Sequence, residues 1–213
     1  MGPGIEMSGG SAANTIAGVT SFGGNAAYRG RVFDDQLGAV FAHDLRSQGV
    51  TFHNKPATEG PSTGRCLIVV TPDAHRTMNT YLGASAYFGP ADVDPDLVRA
   101  AQVTFLEGYL FDRPESKEAY WTASGLAHDA GRKVALTLSD PFCVDRHRDA
   151  FLDLLEHHVD ILFANEAEIR SRNDRPLSRY FPELAFPAGR YVLDGEIVVR
   201  DARGREDFDA LGQ

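Results

Sequence analysis

Three short stretches of this sequence carry side chains suited to chemistry. Asn165-Glu166-Ala167-Glu168 closes an apolar run. An amide and a carboxylate at the end of a buried strand can hold hydrated Mg²⁺ near a phosphate, although the same residues also suit the polar start of a helix. Glu107 follows "VTFL" and precedes Gly108. A carboxylate there can accept hydrogen bonds from sugar hydroxyls, or it is an exposed loop acid. Gly9-Gly10-Ser11-Ala12-Ala13-Asn14 stands just before a helical pattern. Glycines there let a ligand approach the backbone, and a helix start offers free N–H groups; a capped helix with a flexible approach explains the same residues.

Other stretches resemble sites more weakly. Gly60-Pro61-Ser62-Thr63-Gly64 has the spacing of a hydrolase nucleophile elbow. That elbow needs a strand before it and a helix after it, whereas here a polar loop precedes and "RCLIVV" follows, so serine hydrolysis is set aside. Asp140-Pro141 reads as a turn opener. The seven histidines show no metal-ligand spacing, which argues against zinc. Asp194-Gly195-Glu196 lies inside "YVLDGEIVVRDARGREDF", a hairpin pattern; a glycine and two acids in mid-strand mark either a bulge or a site.

The elements that must position these residues are legible from periodicity. "SAANTIAGVTSFGG" predicts a helix with Ala13, Ile16, Ala17 and Thr20 on one face and a glycine stop at Gly23. "NAAYRGRV" predicts a short strand, and "DDQLGAVFAHDLRSQG" a helix with Leu37, Val40, Phe41 and Leu45 inward. "GRCLIVVTPDAHRTMNTYLGA" predicts a hairpin around Pro72-Asp73. Three helix–strand pairs follow: "PADVDPDLVRAA" then "VTFLEGYLF", "PESKEAYWTASGLAHDAG" then "KVALTLSD", and "CVDRHRDAFLDLLEHH" then "VDILFAN". Continuous apolar strands alternating with helices predict an α/β fold, its sheet mostly parallel with helices on both faces. Ligands in such sheets gather at the carboxyl ends of strands, here Glu107-Gly108, Ser139-Asp140 and Asn165-Glu166.

Composition narrows the function classes. The chain has 213 residues and a formal net charge of -9, which argues against a general nucleic-acid or membrane-surface binder. Residues 170–213 hold eight Arg and eight Asp/Glu, so the whole excess of negative charge lies in residues 1–169. Two distant cysteines, Cys66 and Cys143, suit a reducing, cytoplasmic setting. The first residues lack the basic and apolar regions of a signal peptide, and no apolar run is long enough to span a bilayer.

"GGSAANTIAGVTSFGG", "GRVFDDQLGAVFAHDLRSQGV", "TPDAHRTMNTYLGA", "FLEGYLFD", "LTLSDPFCVDRHRDAF" and "DILFANEAE" together resemble the PfkB carbohydrate kinase family, and within it the adenosine kinase-like branch. The resemblance implies a ribokinase-like fold over residues 1–169. It implies phosphorylation of a hydroxymethyl group on a sugar or nucleoside, with ATP and Mg²⁺ as cofactor and metal. Gly9, Gly10, Asn14 and Glu107 would face that small-molecule substrate. Asn165 and Glu168 would form the family's Asn-x-x-Glu motif, with Glu168 influencing the metal. The hairpin after Gly64 would belong to a substrate lid.

Residues 170–213 resemble something else. "RSRNDRPLSRYFPEL" and "YVLDGEIVVRDARGREDFDALGQ" are similar to consecutive stretches of the adenylation domain of ATP-dependent DNA ligases. Arg172, Asp194 and Glu196 would be the ligase-like motif residues. Two pieces are therefore expected to meet near Ile169/Arg170, a kinase core fragment and a ligase-like fragment ending in a β-hairpin.

Neither piece carries its full chemistry. The kinase resemblance puts the base in a Gly-Ala-Gly-Asp motif, and no Gly-x-Gly-Asp occurs in these 213 residues. It also implies a preceding strand with a substrate-binding Asp, which has no counterpart here. The ligase resemblance requires Lys-x-Asp-Gly, and Lys55, Lys117 and Lys133 are followed by other residues. The expectation is an inactive kinase fragment, a chain of ligase descent, or a non-catalytic nucleoside-binding remnant.

Overall fold

The computed structural model describes residues 4–164, nearly all of them within one compact unit, Met1–Leu162. Helix α1 (Ser11–Ser21) is followed by α2 (Gln36–Ser47) and by an antiparallel hairpin, β1 (Arg65–Val70) with β2 (Arg76–Tyr81). Then come α3 (Pro95–Ala100), β3 (Val103–Glu107), α4 (Pro114–Asp129), β4 (Lys133–Thr137), α5 (Pro141–Arg146), α6 (Arg148–His157) and β5 (Ile161–Phe163). The sheet order is β3-β4-β5, and β3 pairs with β4 in parallel, Val103 opposite Lys133 through Glu107 opposite Thr137. Helix α4 packs on both of these strands and α1 lies against β3. The α/β expectation holds. The hairpin expected within residues 170–213 lies outside the described residues.

The apolar periodicity of the helices becomes a two-part core. Ala13 of α1, Leu45 of α2, and Val32, Val50 and Phe52 are buried together, with Ile16, Tyr28 and Phe41 packed against them. Tyr28, Phe41 and Phe52 meet edge-on or tilted at centroid distances of 5.7–5.8 Å, the geometry aromatic quadrupoles favour. Around the sheet, Val134, Leu136, Ala119, Ala123 and Ala127 are buried, and Phe111 stacks on Phe151 at 4.1 Å. Gly23, Gly49 and Gly131 take positive φ just past α1, α2 and α4, as helix stops do.

Three expectations are corrected. "NAAYRGRV" is not a strand: Ala27 makes one isolated parallel bridge, with Thr51, and Phe33, just past the stretch, makes another, with Ala57. Its arginines are used elsewhere. Arg31 pairs with Asp92 at 3.2 Å, and Arg29 reaches Asp94 at 3.7 Å and the Asp92 carbonyl at 3.1 Å. "PADVDPDLVRAA" is split into a 3₁₀ turn, Pro90–Asp92, and α3. Pro95 opens that helix and Asp94 caps it. The single helix expected over "CVDRHRDAFLDLLEHH" breaks at His147, which leaves helical geometry with φ -124° and binds Asp112.

Thr63, inside the hydrolase-like stretch, proves structural. It is buried, its backbone N–H donates to Asp35 at 2.9 Å, and its hydroxyl donates to the same carboxylate at 2.6 Å. Asp35 also accepts from the Gly38 N–H as the N-cap of α2. Burial pushes the Asp35 carboxyl up, but the Thr63 and Gly38 hydrogen bonds outweigh it and hold the group below its ordinary value. Replacing Asp35 with Ala is expected to cost about 1–2 kcal/mol, read by urea denaturation. Because the folded-state value lies below the unfolded one, this stability is present above about pH 4 and is lost as pH falls through the folded value. The margin of the native protein over Asp35→Asn should therefore shrink below about pH 4.

Candidate functional site

The carboxyl ends of β3 and β4 are pressed together. A Cβ on Gly108 would sit 2.4 Å from the Leu138 carbonyl oxygen and 2.6 Å from that of Thr137. Only glycine lets the chain turn there, and it enters a 3₁₀ turn at Gly108 instead of continuing the strand as "VTFLEGYLF" suggested. Glu107 is thereby left at the strand's end, half-buried. Opposite it, Ser139 has φ +65°, a left-handed conformation uncommon outside glycine. The Ser139 hydroxyl donates to Glu107 Oε1 and accepts the Gly108 N–H at 3.1 Å.

Two tyrosines stand in the field of Glu107. The Tyr120 hydroxyl, on α4, donates to the Glu107 backbone carbonyl. Burial, and then the negative charge of Glu107, push the Tyr28 phenol up to about 12 and drive Tyr120 upward as well. Both remain neutral hydrogen-bonding groups at physiological pH. The Cys143 thiol, on α5, donates to the Gly108 carbonyl at 3.6 Å, and burial raises it to about 11, so it acts as a packed thiol and not a nucleophile.

The glycine-rich approach leads into α1. Gly10 is its N-cap, with φ +109°, and its carbonyl accepts the Asn14 N–H at 2.8 Å. Gly9, Gly10 and Asn14 are exposed, and nothing lies within 4 Å of where a Cβ would stand on either glycine. Four of the expected substrate residues thus sit on two elements that pack together, α1 with its approach and the end of β3. Asn165 and Glu168 lie outside the described residues, as do Arg172, Asp194 and Glu196. Asp140 caps α5, accepting from Phe142 N at 3.3 Å and Cys143 N at 2.9 Å, in line with a turn opener.

One gathering of metal-type donors lies nearby. Asp112, Cys143 and His147 bring a carboxylate oxygen, a sulfur and a ring nitrogen within 4.8 Å of one another. Arg146 already forks the Asp112 carboxylate at 3.0–3.1 Å, and Lys117 Nζ stands 3.1 Å from His147 Nδ1. A metal-bound histidine normally donates its second ring nitrogen to an acceptor, and Lys117 offers a donor there. Thiol and imidazole are also poor partners for Mg²⁺. The group reads as an ion-paired brace joining the Gly108–Leu110 turn to α5. Burial raises the Asp112 carboxyl, but His147 and Arg146 overcome this and hold it below its ordinary value.

The family description "pfkB family carbohydrate kinase" matches residues 6–175. The chain belongs to the PfkB family. Adenosine kinase from Sinorhizobium meliloti is similar at 55% identity and TM-score 0.74, over 79% of this chain and 52% of that one. A probable sugar kinase from Rhizobium etli CFN 42 is similar at 52% identity and TM-score 0.75, over 84% and 53%. Fructokinase-2 of Solanum lycopersicum is 30% identical over 139 residues, 64% of this chain and 42% of that protein. This PfkB chain therefore spans about half the length, or less, of these three relatives.

Sequence reasoning placed Ser139 at a strand's carboxyl end without giving it a role, and it missed Tyr28 and Tyr120. A serine at the strand end facing Glu107's strand was a usable signal for the first; the tyrosines converge only through packing. Because Gly108 has backbone on the side where a Cβ would go, Gly108→Ala is expected to lower stability by about 1–3 kcal/mol. Thermal unfolding followed by circular dichroism measures this, and an unchanged midpoint would refute the close approach.

Proposed function

We propose that this PfkB chain is the sugar- or nucleoside-recognising part of an adenosine kinase-like phosphotransferase. Its ligand is a small molecule bearing a ribosyl or sugar hydroxyl. Gly9, Gly10 and Asn14 bind it from the α1 side, and Glu107 accepts its hydroxyl protons. The observation that supports this reading is a carboxylate held at the carboxyl end of a strand that packs against α1, the helix with the glycine-rich start; ligands of α/β sheets gather at such strand ends. Likeness to an adenosine kinase and a probable sugar kinase at above 50% identity supports the substrate class. Asn165 and Glu168 are proposed to act on phosphate and Mg²⁺, and ATP, when bound, supplies the phosphoryl group. If adenosine or fructose binds, Asn14→Ala and Glu107→Ala should each weaken binding by about 1–3 kcal/mol in calorimetry. Unchanged affinity in both variants would refute the placement.

Under the same reading the 213-residue chain does not turn over by itself. It contains no Gly-x-Gly-Asp to supply the base and anion hole, and no Lys-x-Asp-Gly for adenylation by the ligase-like tail. A missing general base alone removes about 10²–10⁴ of rate. The purified chain, given ATP, Mg²⁺ and adenosine or fructose, is expected to form phosphorylated product only at the no-enzyme background. Its intact mass should show no added AMP. Product well above background, or an AMP adduct abolished by replacing Lys55, Lys117 or Lys133, would overturn this.

A further inference from the structure

We propose that Ser139 is a positioning residue that fixes the Glu107 carboxylate for a hydroxyl-bearing ligand; the proposal rests on the ligand reading above. One hydroxyl oxygen makes the connections. Its proton can go to Glu107 Oε1 or to the Thr137 carbonyl, the latter 3.2 Å away. The carboxylate is the closer acceptor, and a charged acceptor makes the stronger bond, so the proton goes to Glu107. The oxygen's lone pair then receives the Gly108 N–H at 3.1 Å. Ser139 therefore holds both the side chain of Glu107 and the backbone of the next residue.

The backbone of Ser139 is set for this purpose. A non-glycine residue at φ +65° persists only where the surroundings over-determine it. Here the surroundings are the two strand ends pressed together at Gly108, the Asp140 cap of α5 and the serine's own hydrogen bonds. Glu107 is half-buried, at the rim of β3, with the neutral hydroxyls of Tyr28 and Tyr120 in its field. Tying down one carboxylate oxygen removes most of the freedom of the side chain. The loss of that freedom is met on folding and not on binding, which favours a ligand hydroxyl that bonds to the same group.

Ser139→Gly separates the hydroxyl from the backbone, because glycine takes φ +65° without strain. Ser139→Ala removes the hydroxyl and keeps the strain. Both are made in the full chain, with retention of the fold checked by circular dichroism. The probes are adenosine and its 2′-deoxy and 3′-deoxy forms, titrated calorimetrically. The native chain should bind the deoxy form that lacks Glu107's partner more weakly than adenosine. Ser139→Gly should lose about tenfold in adenosine affinity, the scale of one hydrogen bond, while its affinity for that deoxy form stays unchanged. The double variant with Glu107→Ala should bind no more weakly than Glu107→Ala alone. Unaltered adenosine binding in Ser139→Gly, or an equal loss for all three probes, would overturn the proposal.

A second measurement judges the tie when nothing binds. If the native chain binds neither adenosine nor fructose, the ligand reading fails. The Glu107 carboxyl ¹³C resonance, assigned through Glu107→Gln, then decides about Ser139. A shift of that resonance in Ser139→Gly upholds the tie, and an identical resonance in both proteins refutes it.

Discussion

The close approach of β3 to β4 at Gly108 is the constraint from which the site follows. Two carbonyl oxygens, of Thr137 and Leu138, occupy the space where any side chain would begin. The parallel register from Val103 opposite Lys133 to Glu107 opposite Thr137 delivers the strands to that point together. Once they converge, β3 must turn, Glu107 becomes its last residue, and Ser139 is brought within reach of it. The Cys143 thiol on the Gly108 carbonyl and the Tyr120 hydroxyl on the Glu107 carbonyl close the arrangement from α5 and α4. Backbone groups that would otherwise be orphaned at a strand end are thereby satisfied.

The charged groups serve mostly as joinery. Arg29 and Arg31 fasten the loop between α1 and α2 to the segment before α3 through Asp92 and Asp94. Asp160 accepts the Val134 N–H at 2.7 Å and pairs with His128 at 3.0 Å, holding the approach to β5 against β4 and α4. Asp112, with Arg146 and His147, secures the turn after β3 to α5. These pairs are part-exposed, so each contributes little energy. Their value is in fixing which segment lies beside which.

Much of this was legible in the sequence, for identifiable reasons. Helices α1 and α2 announce themselves by a single apolar face and a glycine stop, both local properties. The hairpin and the β3–β4 alternation follow from apolar runs bounded by turn residues. The place of Glu107 at a strand end, and of Gly9, Gly10 and Asn14 at a helix start, was readable because such positions are recognisable one element at a time. What failed was decided at a distance. The break between α5 and α6 depends on Asp112, 35 positions before His147. The strand expected at "NAAYRGRV" shrinks to the single bridge of Ala27 with Thr51, the next bridge lying beyond it at Phe33. The hydrogen bond of Ser139 to Glu107 goes with a backbone angle that no residue type announces.

The β1–β2 hairpin carries a different consequence. Leu67, Ile68, Val69, Val70, Met78 and Tyr81 are all more than two-fifths exposed, and the hairpin forms a sheet of its own apart from β3-β4-β5. A lone two-stranded hairpin is marginal in water, and its outer backbone groups are solvated instead of paired. Its amides can therefore open to solvent exchange without disturbing Phe111, Leu136 or Phe151 in the core. Among the described residues, hydrogen exchange should therefore be slow around β3 and β4 and fast in the hairpin, which can open without global unfolding.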